Sequence, residues 1–211
     1  MKRFVTILTA LTITIPVLSQ NDPEAVKVLD RFSAAALAAP SVTLKFRIVT
    51  VNQLEKSSDT TAGSLQMAKD QYRLEFPDNI TWFNGSISWN YLVAEKEVTI
   101  VRPDRKDESF LSKPSSIFTI YKKGYKSRLV EETSKSYVVD LYPEDVDTDL
   151  VRIRLEIGKT SYSLEGAEYK RKEGISLILL VDEYNLREKP GASAFTFNPS
   201  SYKGVEIIDM R

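Results

Sequence analysis

From Ser41 onward the apolar residues recur at every second position, and that period constrains the fold of this chain more than any other feature. Val42, Leu44, Phe46 and Ile48 alternate with Thr43, Lys45, Arg47 and Val49. Tyr72, Leu74 and Phe76 alternate with Gln71, Arg73 and Glu75, and Val151, Ile153, Leu155 and Ile157 with Arg152, Arg154 and Glu156. Successive side chains of a strand project to opposite faces, so each run reads as a strand with one apolar face. Turn material separates the runs at short intervals: Ser57 to Ala62, Lys69-Asp70, Pro77-Asp78-Asn79, Glu95-Lys96 and Lys172-Glu173-Gly174. The spacing predicts about eleven strands joined mostly by hairpin-length loops. The fold class is mainly β, an antiparallel and strongly curved sheet, either sandwich or barrel.

Two helical stretches interrupt the pattern. Asn21-Asp22-Pro23-Glu24 supplies a cap, a proline where its missing N–H is harmless, and an acid in the first turn. Val26, Leu29, Phe32, Ser33, Ala36 and Leu37 then fall on one stripe, and Pro40 ends an amphipathic helix of about 16 residues. Lys113-Pro114-Ser115-Ser116 starts a second, short helix with Ile117, Phe118, Ile120 and Tyr121 apolar and Gly124 as its stop. Both helices must cover apolar surface that the sheet leaves open.

The stretch Ile80–Tyr91 carries both tryptophans of the protein. Asn84-Gly85 predicts a two-residue type I′ turn, because Asn and Gly accept φ > 0 at least cost. Ile80 and Trp82 share a face of the incoming strand; Ile87, Trp89 and Tyr91 share a face of the outgoing one. Pattern alone leaves two readings open, an aromatic-rich core or the wall of an apolar cavity.

Lys2-Arg3 followed by the apolar run Phe4 to Leu18 and then Ser19 reads as a secretory signal peptide over residues 1–19. Residues 20–211 are then one exported, soluble domain. The chain has no cysteine, hence no disulfide framework, thiol nucleophile or cysteine for a lipid anchor. Without Lys2 and Arg3, 27 basic residues stand against 29 acidic ones, a balance that disfavours nucleic acid as a partner.

Histidine is absent as well, which removes Ser-His-Asp triads and imidazole metal ligands. A hydrolase would need a pair of carboxylates about 5 Å apart, yet the acids sit mostly in loops or at outward strand positions. No Ser-x-x-Lys opens an obvious buried helix. Asp145, Asp147 and Asp149, with Glu156 at the twelfth position, resemble the start of a calcium loop, but Leu150 stands where the sharp turn needs Gly. That loop, like Arg102, Arg105 and Lys106, reads as solvated surface. What remains is a non-enzymatic apolar site. Phe46, Ile48, Leu65, Met67, Tyr72, Leu74, Phe76, Ile80, Trp82, Trp89 and Tyr91 come from consecutive strands and are expected on one concave face, with Ile117 and Phe118 of the short helix against them. Methionine and aromatics make adaptable walls suited to flexible apolar ligands.

In order and spacing these features resemble the LolA family, periplasmic carriers of lipoproteins. The shared pieces are the N-terminal helix; Gly63 between two strands; Gln71-Tyr72-Arg73-Leu74-Glu75-Phe76; Asn84-Gly85-x-x-x-Trp89-x-Tyr91; and the ending Phe195-Thr196-Phe197-Asn198-Pro199 with Gly204-Val205-Glu206-Ile207-Ile208-Asp209. The resemblance implies an incomplete antiparallel β-barrel whose helices form a lid over a cavity for lipoprotein acyl chains. It implies a monomer in the periplasm, an inner-membrane ABC transporter as donor, an outer-membrane receptor as acceptor, and no cofactor. It resolves the tryptophan hairpin as cavity wall. The family's lid latch is an arginine shortly after the glycine; here Lys69 takes that place, without the planar fork of a guanidinium. An envelope sensor that holds lipoprotein without delivering it is the alternative function.

Overall fold

The computed structural model describes residues 21–103 and 110–211. The expected signal peptide, and Arg105 and Lys106 of the charged loop, lie outside the described residues. The chain opens with α1 (Pro23–Ala38), capped by Asp22, whose carboxylate accepts the Glu24 amide at 3.0 Å. The helix buries Ala25, Val28, Leu29, Phe32, Ser33 and Ala36, while Leu37 is 60% exposed. The buried stripe is thus rotated from the expected one, with Ala25 and Val28 in place of Val26 and Leu37.

Twelve strands follow among the described residues: β1 (Val42–Asn52), β2 (Ser57–Ala68), β3 (Gln71–Glu75), β4 (Asn79–Phe83), β5 (Ser88–Leu92), β6 (Glu97–Val101), β7 (Tyr125–Glu132), β8 (Ser136–Pro143), β9 (Leu150–Gly158), β10 (Leu164–Arg171), β11 (Ile175–Asn185) and β12 (Glu206–Asp209). They form one sheet in the order β12-β6-β5-β4-β3-β2-β1-β11-β10-β9-β8-β7. Neighbours are antiparallel except for β12, which lies parallel on β6. The two outer strands, β7 and β12, do not pair with each other, so the sheet stays open. This is the incomplete antiparallel barrel that the family resemblance implies, with one strand more than the spacing predicts.

An open sheet leaves edge groups that need partners. Asp22 donates its amide to the Ser127 carbonyl of β7 at 3.1 Å, and the Asn21 and Asp22 carboxamide and carboxylate oxygens accept the amides of Ser127 and Leu129 at 2.8 and 3.0 Å. These bonds pin the start of α1 to the β7 edge.

The short inner helix is resolved as two 3-10 turns, Pro114–Phe118 and Ile120–Lys122, broken at Thr119. Their bonds run i to i+3, Thr119 to the Ser116 carbonyl and Lys122 to the Thr119 carbonyl. The Asn84-Gly85 hairpin also differs from expectation. Its loop holds four residues, 84–87, and only Gly85 has a positive φ, 94°. The Asn84 carboxamide oxygen accepts the amides of Ser86 and Ile87 at 3.0 and 2.9 Å, closing an Asx turn. The longer loop slides β5 along β4 and sets Trp82 opposite Trp89 and Ile80 opposite Tyr91.

Two apolar clusters result. The larger fills the face covered by α1 and the 3-10 turns, with Leu29, Phe32, Leu44, Phe46, Ile117 and Phe118 at most 2% exposed. The smaller gathers Trp82, Tyr91 and Val98 beneath Phe197, with Tyr202 and Val205 packed on it.

Candidate functional site

The helix-covered face is built by strand alternation. On β1, Leu44, Phe46 and Ile48 point beneath the helix; on β2, Leu65 and Met67 pair with Leu44 and Val42; on β3, Tyr72 and Leu74 pair with Met67 and Leu65. Phe46 lies opposite Gly63, where a Cβ would come within 2.8 Å of the Phe46 ring and 2.9 Å of the Glu75 carbonyl. Glycine at that position is what lets the ring lie flat across the neighbouring strand. The ring then meets Phe76 and Phe110 edge-on at 5.9 and 6.1 Å. Ile117 and Phe118 complete the face, Phe118 packing on Phe32 of α1 at 5.0 Å.

Four of the expected wall residues are elsewhere. Tyr72 pairs with Phe83, Leu74 with Thr81 and Glu75 with Ile80, so an even-numbered residue of β3 shares its side with an odd-numbered one of β4. Ile80, Trp82, Trp89 and Tyr91 therefore project from the opposite face, beside Arg73 and Glu75. There Trp82 meets Phe197 and Tyr202 at 5.4 and 5.7 Å, and the Arg73 guanidinium stands 5.5 Å from its ring. The common concave face expected for all eleven strand residues is corrected to two faces. The turn between β3 and β4 shifts the side-chain phase by one, which moves every residue beyond it to the other side.

Two clefts open on the helix-covered side, one at each end of the strands. The first, about 580 Å³, lies between the end of α1 and the turn joining β2 to β3, floored by Ala36, Val42, Met67 and Phe118. Lys69 sits on its rim with Leu37 and Ala39, exposed, in a left-handed conformation (φ 54°), its ammonium paired with no other described residue. The second, about 460 Å³, lies at the other end, lined by Ile153 of β9, Tyr169 of β10 and Leu177 of β11, with Phe110, Ile120 and Tyr125. The sequence pattern alone does not single out this lining. The signals for it are the inward residues of the β9 alternation and the run Ile175–Val181, which is apolar on both faces.

Segment 110–122 separates the two clefts and contributes side chains to both. Two phenols tie it down. Tyr72 of β3 donates to the Ser112 carbonyl at 3.1 Å, and Tyr121 donates to an Asp30 carboxylate oxygen of α1 at 2.5 Å. Burial, reinforced by Asp30, pushes the Tyr121 pKa well up, so the phenol remains a donor. A further tie holds α1 to the sheet: the Arg31 guanidinium donates to the Tyr162 hydroxyl at 2.6 Å. Among the described residues no group of three or more metal-ligating side chains is gathered, and no helix is long and apolar enough to cross a membrane.

Residues 15–174 match the family of outer membrane lipoprotein carrier protein LolA. The chain belongs to the LolA family. Its fold is also that of an uncharacterized conserved protein from Thermus thermophilus, 14% identical, with 88% of this chain and 99% of that one aligned at a TM-score of 0.59. A LolA superfamily protein from Nitrosomonas europaea aligns over 82% of this chain and 97% of its own, at 12% identity and a TM-score of 0.43. The Pseudomonas aeruginosa MucA/MucB complex contains a chain aligned over 83% of this one and 62% of its own, at 12% identity and a TM-score of 0.41. No curated protein matches this LolA-family chain in sequence.

Proposed function

We propose that this LolA-family protein binds the acyl chains of lipoproteins on its helix-covered face and carries them across the periplasm. In this reading an inner-membrane ABC transporter supplies the lipoprotein and an outer-membrane receptor takes it. The observation that carries the proposal is the pair of apolar clefts separated by a segment held through two tyrosine hydroxyls. A methylene takes ~30 Å³, the share of one liquid water molecule, so a cleft of 460 Å³ is of the size that suits one acyl chain rather than several. Several chains need the space that segment 110–122 occupies. Phe46, Ile48, Leu65, Met67, Tyr72, Leu74, Phe76, Ile117 and Phe118 would meet acyl chains once it moves, and Lys69, unpaired on the cleft rim, would have to turn toward the end of α1 to act as its latch. Each buried methylene contributes about 0.8 kcal/mol, and refolding of the displaced segment onto the same surface offsets part of that on release.

The test is transfer. Purified protein is incubated with inner-membrane vesicles bearing radiolabelled lipoprotein, separated, and then mixed with outer membranes. Release into the soluble fraction followed by delivery supports carriage. Capture without delivery identifies a sensor or storage protein, and no capture at all removes the acyl-binding reading.

A further inference from the structure

Tyr169 stands out among the residues of the second cleft. It lies on the inward side of β10, paired with Ile153 of β9 and Leu177 of β11, so its ring is flanked by aliphatic side chains. Its hydroxyl has no hydrogen-bond partner among the described residues. Tyr169 is half-buried and its hydroxyl reaches solvent in the cleft, so it can exchange water for an acceptor on a bound ligand. Burial, and secondarily the nearby Tyr125, push its pKa far above the ordinary phenol range, so it remains neutral and able to donate.

Its position along the strand matters as much as its lack of a partner. Arg171 lies two residues further along β10 and marks the rim of the cleft, where it pairs with Asp149 at 3.3 Å on the exposed surface. Two residues of strand span about 7 Å, so Tyr169 and this charged pair line the same cleft as near neighbours. The apolar part of the lining includes Phe110, Ile120, Leu150, Ile153 and Leu177. The cleft thus combines an apolar lining, a charged pair and one phenol donor without a protein partner.

We propose that Tyr169 is the carbonyl anchor of this cleft, donating a hydrogen bond to the ester or amide oxygen at the head of a single acyl chain. This rests on the acyl-binding reading and sharpens it. The chain fills the apolar interior, the carbonyl replaces the missing partner of Tyr169, and the remaining headgroup emerges beside Arg171 and Asp149. The site then prefers an acyl ester to a plain hydrocarbon of equal length, which hydrophobic burial alone does not produce.

The experiment compares methyl dodecanoate with dodecane as competitors for an anilinonaphthalene dye bound to the full chain. Wild-type protein is expected to favour the ester about fivefold more than Tyr169→Phe does, the worth of one net hydrogen bond. Tyr91→Phe, in the aromatic cluster on the opposite face of the sheet, serves as the control and retains the wild-type ratio. An unchanged ratio in Tyr169→Phe overturns the assignment, as does an equal loss for both competitors, which indicates packing alone. If neither competitor displaces dye from wild-type protein, the acyl-binding reading fails first. A second measurement needs no variant. The infrared carbonyl stretch of bound, carbon-13-labelled methyl dodecanoate moves to lower frequency than in hydrocarbon if the phenol donates to it; an unmoved band overturns the proposal.

Discussion

Trp82→Ala separates the two faces of the sheet. The ring is 4% exposed and is packed by Phe197, Tyr202 and the Arg73 guanidinium on the face away from α1. A buried indole removes roughly 200 Å² from water, which at about 25 cal/mol per Å² is worth about 5 kcal/mol as an upper figure. A realistic unfolded state and partial collapse of the C-terminal segment into the space reduce this to about 3–4 kcal/mol, within the usual range for aromatic-to-alanine changes. With a urea slope of about 2.5 kcal/mol per molar, the unfolding midpoint should fall by about 1.5 M, read by far-UV circular dichroism. The same variant, kept well below that midpoint, should bind an acyl probe with wild-type affinity. Loss of more than about threefold in probe affinity by the folded variant would refute the assignment of the hairpin to a face remote from the ligand. Phe118→Ala is the matched control, since its ring lies on the helix-covered face against Phe32 and should change binding as well as stability.

Tyr121→Phe deletes the donor to Asp30 and frees segment 110–122 from α1. Because Asp30 is exposed, the bond is worth only about 1 kcal/mol, so the opened population and the apparent acyl affinity should both rise about fivefold; calorimetric titration with unchanged affinity would count against a closed resting state. Gly63→Ala should destabilise by about 1–3 kcal/mol in a denaturant melt, since the new Cβ meets the Phe46 ring and the Glu75 backbone carbonyl below 3.0 Å. Asp140 on β8 is 1% exposed; burial opposes its charge, but hydrogen bonds from Arg154 at 2.7 and 2.8 Å, the Arg152 charge and the Tyr142 hydroxyl outweigh it and lower its pKa. A lowered folded pKa means that this stabilisation is fully present above the ordinary aspartate range near pH 4 and is lost as pH falls below it. Asp140→Asn should therefore cost about 2 kcal/mol at pH 7 and flatten the acid limb of the stability curve; an unchanged acid limb would place the acid sensitivity elsewhere.

The elements are largely legible in the sequence because local rules govern them. Asp22 and Pro40 bound α1, alternation marks the strands, and Gly124, with a φ of 79°, ends the 3-10 segment. The candidate site is legible in half. Phe46, Leu65, Met67, Tyr72 and Leu74 lie together as expected, since β1, β2 and β3 keep the phase that their sequence shows. Trp82 and Trp89 do not join them, because the turn after Phe76 changes the phase, and a one-residue change is invisible to a pattern of period two. Tyr169 escapes a sequence reading for a different reason. Within its own strand it is one aromatic among alternating residues, and only its place in the lining of the second cleft, without a protein partner for its hydroxyl, distinguishes it.

Local rules specify the mainly β class, the capped helix, the exclusion of histidine and cysteine chemistry, and the residue types that line an apolar site. Those follow from local sterics and composition, which act over a few residues. Long-range packing sets which aromatic residues face α1 and which face the C-terminal segment. It also decides that β12 pairs parallel with β6, and that the second cleft is lined by strands β9 to β11. Those outcomes depend on the register between segments distant in the chain, set jointly by turn length and by the burial of one face of each strand.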